Sequence, residues 1–411
     1  MALFRRNPKT DDDNGEPAQD SAPDSKKKSG GLLRPADTAF RQQRLRAWQP
    51  IFTPNPILPA LFAIGVIFAV IGGLFIWGSG LVTEFTFDYS QCENLVPSTS
   101  ATNPTWENLT SYSYQLRASD AHASYSPPQF AFINRSADTS LPVSQRLQCL
   151  IQFDVPYDLE PSVLLYYKLR NFNQNHRQYV ISYDSDQFQG KDVDPHTLNK
   201  GDCHPLAINA DGKVIYPCGL IANSLFNDTF SNLTASNLTT AAPTTPTASS
   251  TYPFSTTNIA WPGEAKKYAR TPGYALDAIV PPPNWQLRFP DNYTAANPPP
   301  DFTRDEHFQN WMRTAALPTF AKLWGRNDAD VLGQGVYQVS VGLNFPVLPY
   351  GGAKSLVISK VSWIGGKNPF LGWAFVGVAV ALIVVALMGT VGHVLRPRKL
   401  ADPMLLSWNR R

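Results

Sequence analysis

Two long stretches of this chain carry no charge. Between Arg46 and Glu84 no residue is ionised, and the apolar centre Ile57 to Leu81 would extend roughly 37 Å at about 1.5 Å per helical residue, against a bilayer core of about 30 Å. The second stretch, Phe370 to Leu395, lies between Lys367 and Arg396 and is interrupted only by His393 near its end. Both are predicted to be membrane-spanning helices. A cleaved signal peptide is a poor alternative for the first, because such peptides carry an apolar region of about 7–15 residues close to the terminus.

Between the two stretches the periodicity changes to two. Leu147, Cys149, Ile151, Phe153 and Val155 alternate with mostly polar neighbours, as do Tyr337, Val339, Val341, Leu343 and Phe345. Such alternation predicts half-buried strands. Val163–Leu169, Tyr179–Tyr183 and Leu356–Val361 are further strand candidates, with Pro and Gly punctuating the intervals. One helix is expected after a capping box of Thr303 and Glu306, with Phe308, Trp311, Met312 and Ala315 on one face. The fold class is therefore an α+β membrane protein: two transmembrane helices and a large, mostly antiparallel β-sandwich ectodomain with long loops.

The expected organisation is an N-terminal tail over 1–56, a span over 57–81, an ectodomain over 82–369, a span over 370–395 and a C-terminal tail over 396–411. Residues 1–33 are polar and without apolar periodicity, which predicts disorder. The juxtamembrane segment 34–56 mixes Arg41, Arg44 and Arg46 with Phe40, Leu45 and Trp48 before turning proline-rich. The Ser/Thr/Ala/Pro-rich stretch 227–258 and the proline-rich 281–300 are expected as exposed loops.

The net charge of +3 says little, but its distribution gives an orientation. Arg34, Arg41, Arg44 and Arg46 precede the first span and Arg396, Arg398 and Lys399 follow the second, whereas residues 82–101 contain no Lys or Arg. Lys354, Lys360 and Lys367 are a partial counterweight. Because basic loops resist translocation, both ends are expected in the cytosol. The four cysteines, Cys92, Cys149, Cys203 and Cys218, all lie between the spans, and an even number in an oxidising compartment predicts two disulfides. Three connectivities are open, sequential pairing being the simplest. Asn-x-Ser/Thr sequons at Asn108, Asn134, Asn227, Asn232, Asn237 and Asn292 fall in the same region and in neither tail.

Catalytic signatures are missing from the sequence. Neither span holds an Asp, Glu, Lys or Arg at its centre, so the two helices offer no polar path of their own. Gly190-Lys191, Gly212-Lys213 and Gly366-Lys367 lack the spacing of a phosphate loop, and Gly333 with Gly335 does not complete a dinucleotide fingerprint. There is no Gly-x-Ser-x-Gly elbow, and His176, His196, His204 and His307 are dispersed. No catalytic residue, metal site or cofactor is expected, and no nucleic-acid partner. The spans instead carry small residues at four-residue spacing: Gly65, Ala69 and Gly73 in the first, Gly377, Ala381 and, after Val385, Gly389 in the second. Such stripes mark close helix contact, either between the two spans or with a partner's helices.

Several long blocks resemble the Cdc50/Lem3 family, accessory subunits of the P4-type ATPases that flip phospholipids. They are RPADTAFRQQRLRAWQPIFTPNPILP from Arg34, YYKLRNFNQNHRQYVIS from Tyr166, PCGLIANSLFNDTF from Pro217, WPGEAKKYA from Trp261, HFQNWMRTAALPTFAKLWG from His307 and SWIGGKNPFLG from Ser362. The terminal LLSWNR is similar to the family's tail. The resemblance implies a β-sandwich ectodomain with N-glycans and a fungal-type pair of disulfides, Cys203 with Cys218 and Cys92 with Cys149. It also implies a heterodimer with a P4-type ATPase among membrane lipids of the secretory and endosomal system, from endoplasmic reticulum and Golgi to endosome and plasma membrane. The pump would supply the phosphorylated aspartate and the lipid path. This subunit would support its folding, its exit from the endoplasmic reticulum and its activity, with the segment from Thr38 to Pro50, including Phe40, Arg41, Arg44 and Trp48, along the cytosolic face. A free-standing adhesion protein and a membrane-anchored lumenal enzyme are the competing classes.

Overall fold

The computed structural model describes residues 53–98, 104–236, 251–363 and 365–397, together with Thr38 and Phe40. The chain divides into two units, Ile57–Pro397 and the terminal segments Met1–Pro56 with Arg398–Arg411. The architecture is that of the first unit.

The chain enters through helix α1 (Pro54–Gly80) and leaves through a final helix (Pro369–Leu395). Both are long and apolar enough to cross a membrane. Between them run β1 (Thr83–Asp88), β2 (Glu107–Asn108), β3 (Tyr112–Gln115), β4 (Gln129–Asn134), β5 (Leu147–Val155) and β6 (Val163–Arg170). Four short helices, α2 (Arg177–Val180), α3 (Ser185–Phe188), α4 (Pro195–Lys200) and α5 (Leu220–Asn223), are interrupted by β7 (Val214–Ile215). The short strands β8 (Thr229–Phe230), β9 (Leu233–Ala235), β10 (Thr251–Tyr252) and β11 (Ile279–Val280) come next. Helix α6 (Glu306–Met312), strands β12 (Phe320–Asn327), β13 (Gly335–Gly342) and β14 (Ala353–Lys360), and the final helix, α7, complete the order.

Two antiparallel sheets face each other. One has the order β12-β6-β14-β1-β3, the other β10-β9-β13-β5-β4-β2 with β8 also on β13. Phe85 and Phe87 of β1, Leu356 and Ile358 of β14 and Leu165 of β6 share one core with Ile151 and Phe153 of β5, Val339 and Val341 of β13 and Phe132 of β4. The alternation seen along these strands is the pleat, which sends every second side chain into that core. Each fully buried Phe, Leu, Ile or Val contributes roughly 1.5–3 kcal/mol there. The Cys92–Cys149 bridge, with 57 residues of separation, joins the turn after β1 to β5.

Beside the sandwich lies a second core made almost wholly of loops and short helices, packed with Tyr216, Tyr268, Trp285, Phe289, Phe302 and Phe308. It contains the Cys203–Cys218 bridge, whose 15-residue separation corresponds to roughly 3 kcal/mol in the chain-entropy account. Gly219, next to that bridge, takes φ +98°, and a Cβ there would lie 2.1 Å from the Ser182 carbonyl oxygen. Only glycine fits such an approach.

Three expectations about local structure change. Tyr179–Tyr183 is not a strand: α2 covers Arg177–Val180, and the Tyr179 hydroxyl lies 2.8 Å from that of Ser224 on the other side of a third core. With no neighbouring strand to pair with, the run folds into a turn of helix. The capping box at Thr303 does not form either. Asp305 caps α6 by accepting from Phe308 N at 2.9 Å, which frees Glu306 to accept from the amides of Asn258, Ile259 and Ala260. Phe308 and Trp311 are fully buried as expected, but α6 ends at Met312, before Ala315. Lys322 holds that end, donating to the carbonyls of Asn310 at 2.7 Å and Trp311 at 3.2 Å, although burial pushes its ammonium down to about 7.

The deepest polar contact is an ion pair. Lys354 Nζ lies 2.8 Å from Asp228 Oδ2, with the two side chains 2% and 0% exposed. Lys354 also donates to the Phe345 carbonyl at 2.8 Å, while Asp228 accepts from Tyr89 Oη at 3.0 Å and from the amides of Asn344 and Phe345 at 2.6 and 2.7 Å. Breaking a buried pair from one side leaves a lone charge, a cost of about 3–5 kcal/mol. Asp228→Asn and Lys354→Met should each lower the thermal midpoint. The double variant Asp228→Asn/Lys354→Met should lose less than the sum of the two single losses; strict additivity in the unfolding midpoints would refute the coupling.

Candidate partner interface

Helices α1 and α7 form an antiparallel hairpin whose seam is lined by small residues. A Cβ on Gly65 would meet Ile383, one on Gly72 would meet Val376 and the Gly372 carbonyl, and one on Gly372 would meet Ile76 and the Gly72 carbonyl, all at 2.6–3.4 Å. Ala379 and Ala386 are buried in the same seam. Without a hydrophobic drive between helices in lipid, contact depends on such close backbone approach. Phe375 closes the contact, edge-on to Phe68 at 5.3 Å and Phe75 at 5.6 Å.

The small-residue stripes therefore divide. Gly65 faces the other span, whereas Ala69, Gly73, Gly377 and Ala381 are exposed, and at Gly73 and Gly377 nothing lies within 4 Å of an added Cβ. Gly72 and Gly372, which the four-residue spacing passed over, face each other at the ectodomain end of the seam. A spacing of seven, Gly65–Gly72 and Gly372–Ala379–Ala386, would have found them.

The hairpin is clamped to the sandwich at its base. Lys367 Nζ donates to the carbonyls of Leu116 at 2.9 Å and Val82 at 3.4 Å, and Asn368 N donates to Ser79 Oγ at 3.1 Å. Burial pushes the Lys367 ammonium down and the Glu84 carboxyl up, and each charge steadies the other. Trp77 and Trp373 are 59% and 62% exposed near this end of the helices, the depth at which aromatic belts meet the headgroups.

Of the juxtamembrane positions, Phe40 is 77% exposed, while Arg41, Arg44 and Trp48 lie outside the described residues. Among the sequons, Asn108, Asn232 and Asn292 are exposed, Asn134 and Asn227 are half-buried, and Asn237 lies outside the described residues. Among the described residues no three His, Cys, Asp or Glu side chains gather in a metal-binding group.

Sequence reasoning missed a cavity of about 600 Å³ between the cores, walled by Phe226, Asn227, Trp285, Arg288, His307 and Trp324, among others. His307 lies against Trp324 with ring centres 4.0 Å apart and the planes tilted by 31°, and burial lowers its pKa. Residues from six separate segments build this space, so no local motif announces it.

Comparison with known proteins agrees with this layout. Residues 75–399 match the LEM3 (ligand-effect modulator 3) family / CDC50 family. Over 381 residues the chain is 38% identical to the phospholipid-transporting ATPase accessory subunit CDC50 of Chaetomium thermophilum, covering 92% of this chain and 91% of that one. It is 37% identical to the phospholipid-transporting ATPase accessory subunit LEM3 of Saccharomyces cerevisiae, covering 92% and 87%. Human cell cycle control protein 50B is 33% identical, covering 89% and 95%.

The seam makes an asymmetric mutational expectation. Gly72→Leu or Gly372→Leu should overpack the hairpin at a cost of about 1–3 kcal/mol, seen as a lower melting point in detergent. Gly73→Leu should leave that melting point unchanged; equal losses at Gly72 and Gly73 would contradict the seam.

Proposed function

This chain belongs to the LEM3/CDC50 family, and from that premise we propose that it is the non-catalytic accessory subunit of a P4-type phospholipid-transporting ATPase, required for the pump's folding, export and activity. The observation that carries this reading is the similarity to proteins named as such accessory subunits over nine-tenths of both chains. The protein is a membrane protein, and its part in lipid movement is structural: it supplies a hairpin and a rigid ectodomain, while the ATPase supplies phosphorylation and the lipid path.

Both termini are placed in the cytosol and the sandwich in the lumen, as the basic residues before α1 and after α7 favour. The outward stripe of Ala69, Gly73, Gly377 and Ala381 is assigned to the pump's transmembrane helices, because small residues left unused by the hairpin allow a further helix to approach. Phe40, Arg41, Arg44 and Trp48 are assigned to its cytosolic face, and the complex to the secretory and endosomal membranes. The sequons Asn108, Asn134, Asn227, Asn232, Asn237 and Asn292 are assigned as glycan sites facing the lumen.

Purification of the tagged chain in mild detergent should bring down one large P-type ATPase whose lipid-stimulated activity disappears when its phosphorylated aspartate is replaced. Gly73→Leu and Gly377→Leu should reduce that recovery while the subunit itself stays folded. A chain that elutes alone, folded and glycosylated, would count for the adhesion-protein alternative.

A further inference from the structure

The half-buried sequon Asn227-Asp228-Thr229 lies on the wall of the 600 Å³ cavity, between the sandwich and the aromatic second core. That volume falls within the range of about 300–1,000 Å³ typical of small-ligand sites. Its wall combines the indole of Trp285, the Trp324–His307 pair and the side chain of Phe226 with the polar groups of Asn284, Arg288 and Asn344.

Two polar atoms in the wall have no protein partner. Among the described residues, Asn227 Oδ1 and His307 Nδ1 are buried without a hydrogen bond. Leaving such a group buried and unpaired is unfavourable unless something outside the protein satisfies it. Leu287, also in the wall, is 64% exposed, an apolar rim with nothing over it. Aromatic faces beside unpaired polar atoms suit a ligand with an apolar ring face and a fringe of hydroxyl and amide groups.

We propose that this cavity is the seat of the Asn227 glycan itself: its core N-acetylglucosamine residues fold back over Asn227 and pack against Trp285, Trp324 and Arg288. The sugar's C–H face covers the aromatic rings, its hydroxyl and acetamido groups reach the orphaned wall atoms, and the Arg288 guanidinium donates to an acetamido carbonyl. A saccharide tethered to the wall is present at an effective concentration in the millimolar range, which lets a weak fit stay filled. The glycan then joins the two cores as a covalently attached part of the packing. Its attachment point is adjacent to Asp228, so the modification and the buried Asp228–Lys354 pair stabilise the same segment.

This rests on the lumenal placement of the ectodomain, and the test separates the two. The full chain, purified with its partner, is treated under native conditions with an endoglycosidase that cuts between the two core N-acetylglucosamines. Glycan remaining at Asn108, Asn227 and Asn292 is followed by glycopeptide mass spectrometry. Asn227 should be occupied and released on the order of tenfold more slowly than the two exposed sites, and at the same rate once the protein is denatured. The exposed rim substitutions Arg288→Ala and Leu287→Ser should abolish that difference. An Asn227 that is empty, or is released as fast as Asn292, overturns the proposal; so does protection that persists in both rim variants, since steric crowding alone would then explain it. If all three sites are empty, the lumenal placement fails first.

Discussion

Everything in the ectodomain is built around the pairing of two strands that continue the membrane helices. β1 follows α1 almost directly and β14 precedes α7, and the two pair antiparallel from Thr83 with Lys360 to Asp88 with Ser355. The two helices thus meet the sheet at one place and inherit an antiparallel, adjacent arrangement from it. Lys367 and Asn368 lock the junction by hydrogen bonds to Leu116, Val82 and Ser79. Such an arrangement transmits orientation from the ectodomain to the two helices without a flexible neck.

The large loops hang on this frame through a few polar anchors. Asp228 and Lys354 connect the segment before β8 to the first residues of β14, and the Tyr89 hydroxyl brings in the end of β1. Trp285 and Trp311 donate their indole N–H groups to the carbonyls of Ala222 and Ile221, fixing α5 between the second and third cores. These bonds are long-range and buried, where the low dielectric strengthens satisfied networks and penalises broken ones. A folded ectodomain is therefore a cooperative object.

A pump subunit of this kind works by position rather than by chemistry. Its hairpin consumes Gly65, Gly72 and Gly372 internally and leaves Gly73 and Gly377 uncovered, so one pair of helices has a closed seam and a separate open flank. The closed seam makes the hairpin a rigid body, and the open flank gives a neighbouring helix room to approach.

How much of this was legible along the chain depends on the range of the interactions. The spans were readable because bilayer thickness imposes a minimum apolar run, and β5 and β13 because a half-buried strand must alternate. The family resemblance rested on contiguous blocks, which sequence displays directly. Tyr179–Tyr183 misled because alternation over so short a run has no meaning until a neighbouring strand exists to pair with it. Thr303 lost its capping role because Asp301 takes its hydroxyl hydrogen bond and Asp305 stands one residue before the helix. The sequence by itself determined the two spans, the long alternating strands and the family, all set by local pattern or by long contiguous similarity. Only the tertiary structure decided which glycines meet, which charges pair and where a cavity opens, because each of those joins residues that are distant in the chain and have no local periodicity to announce them.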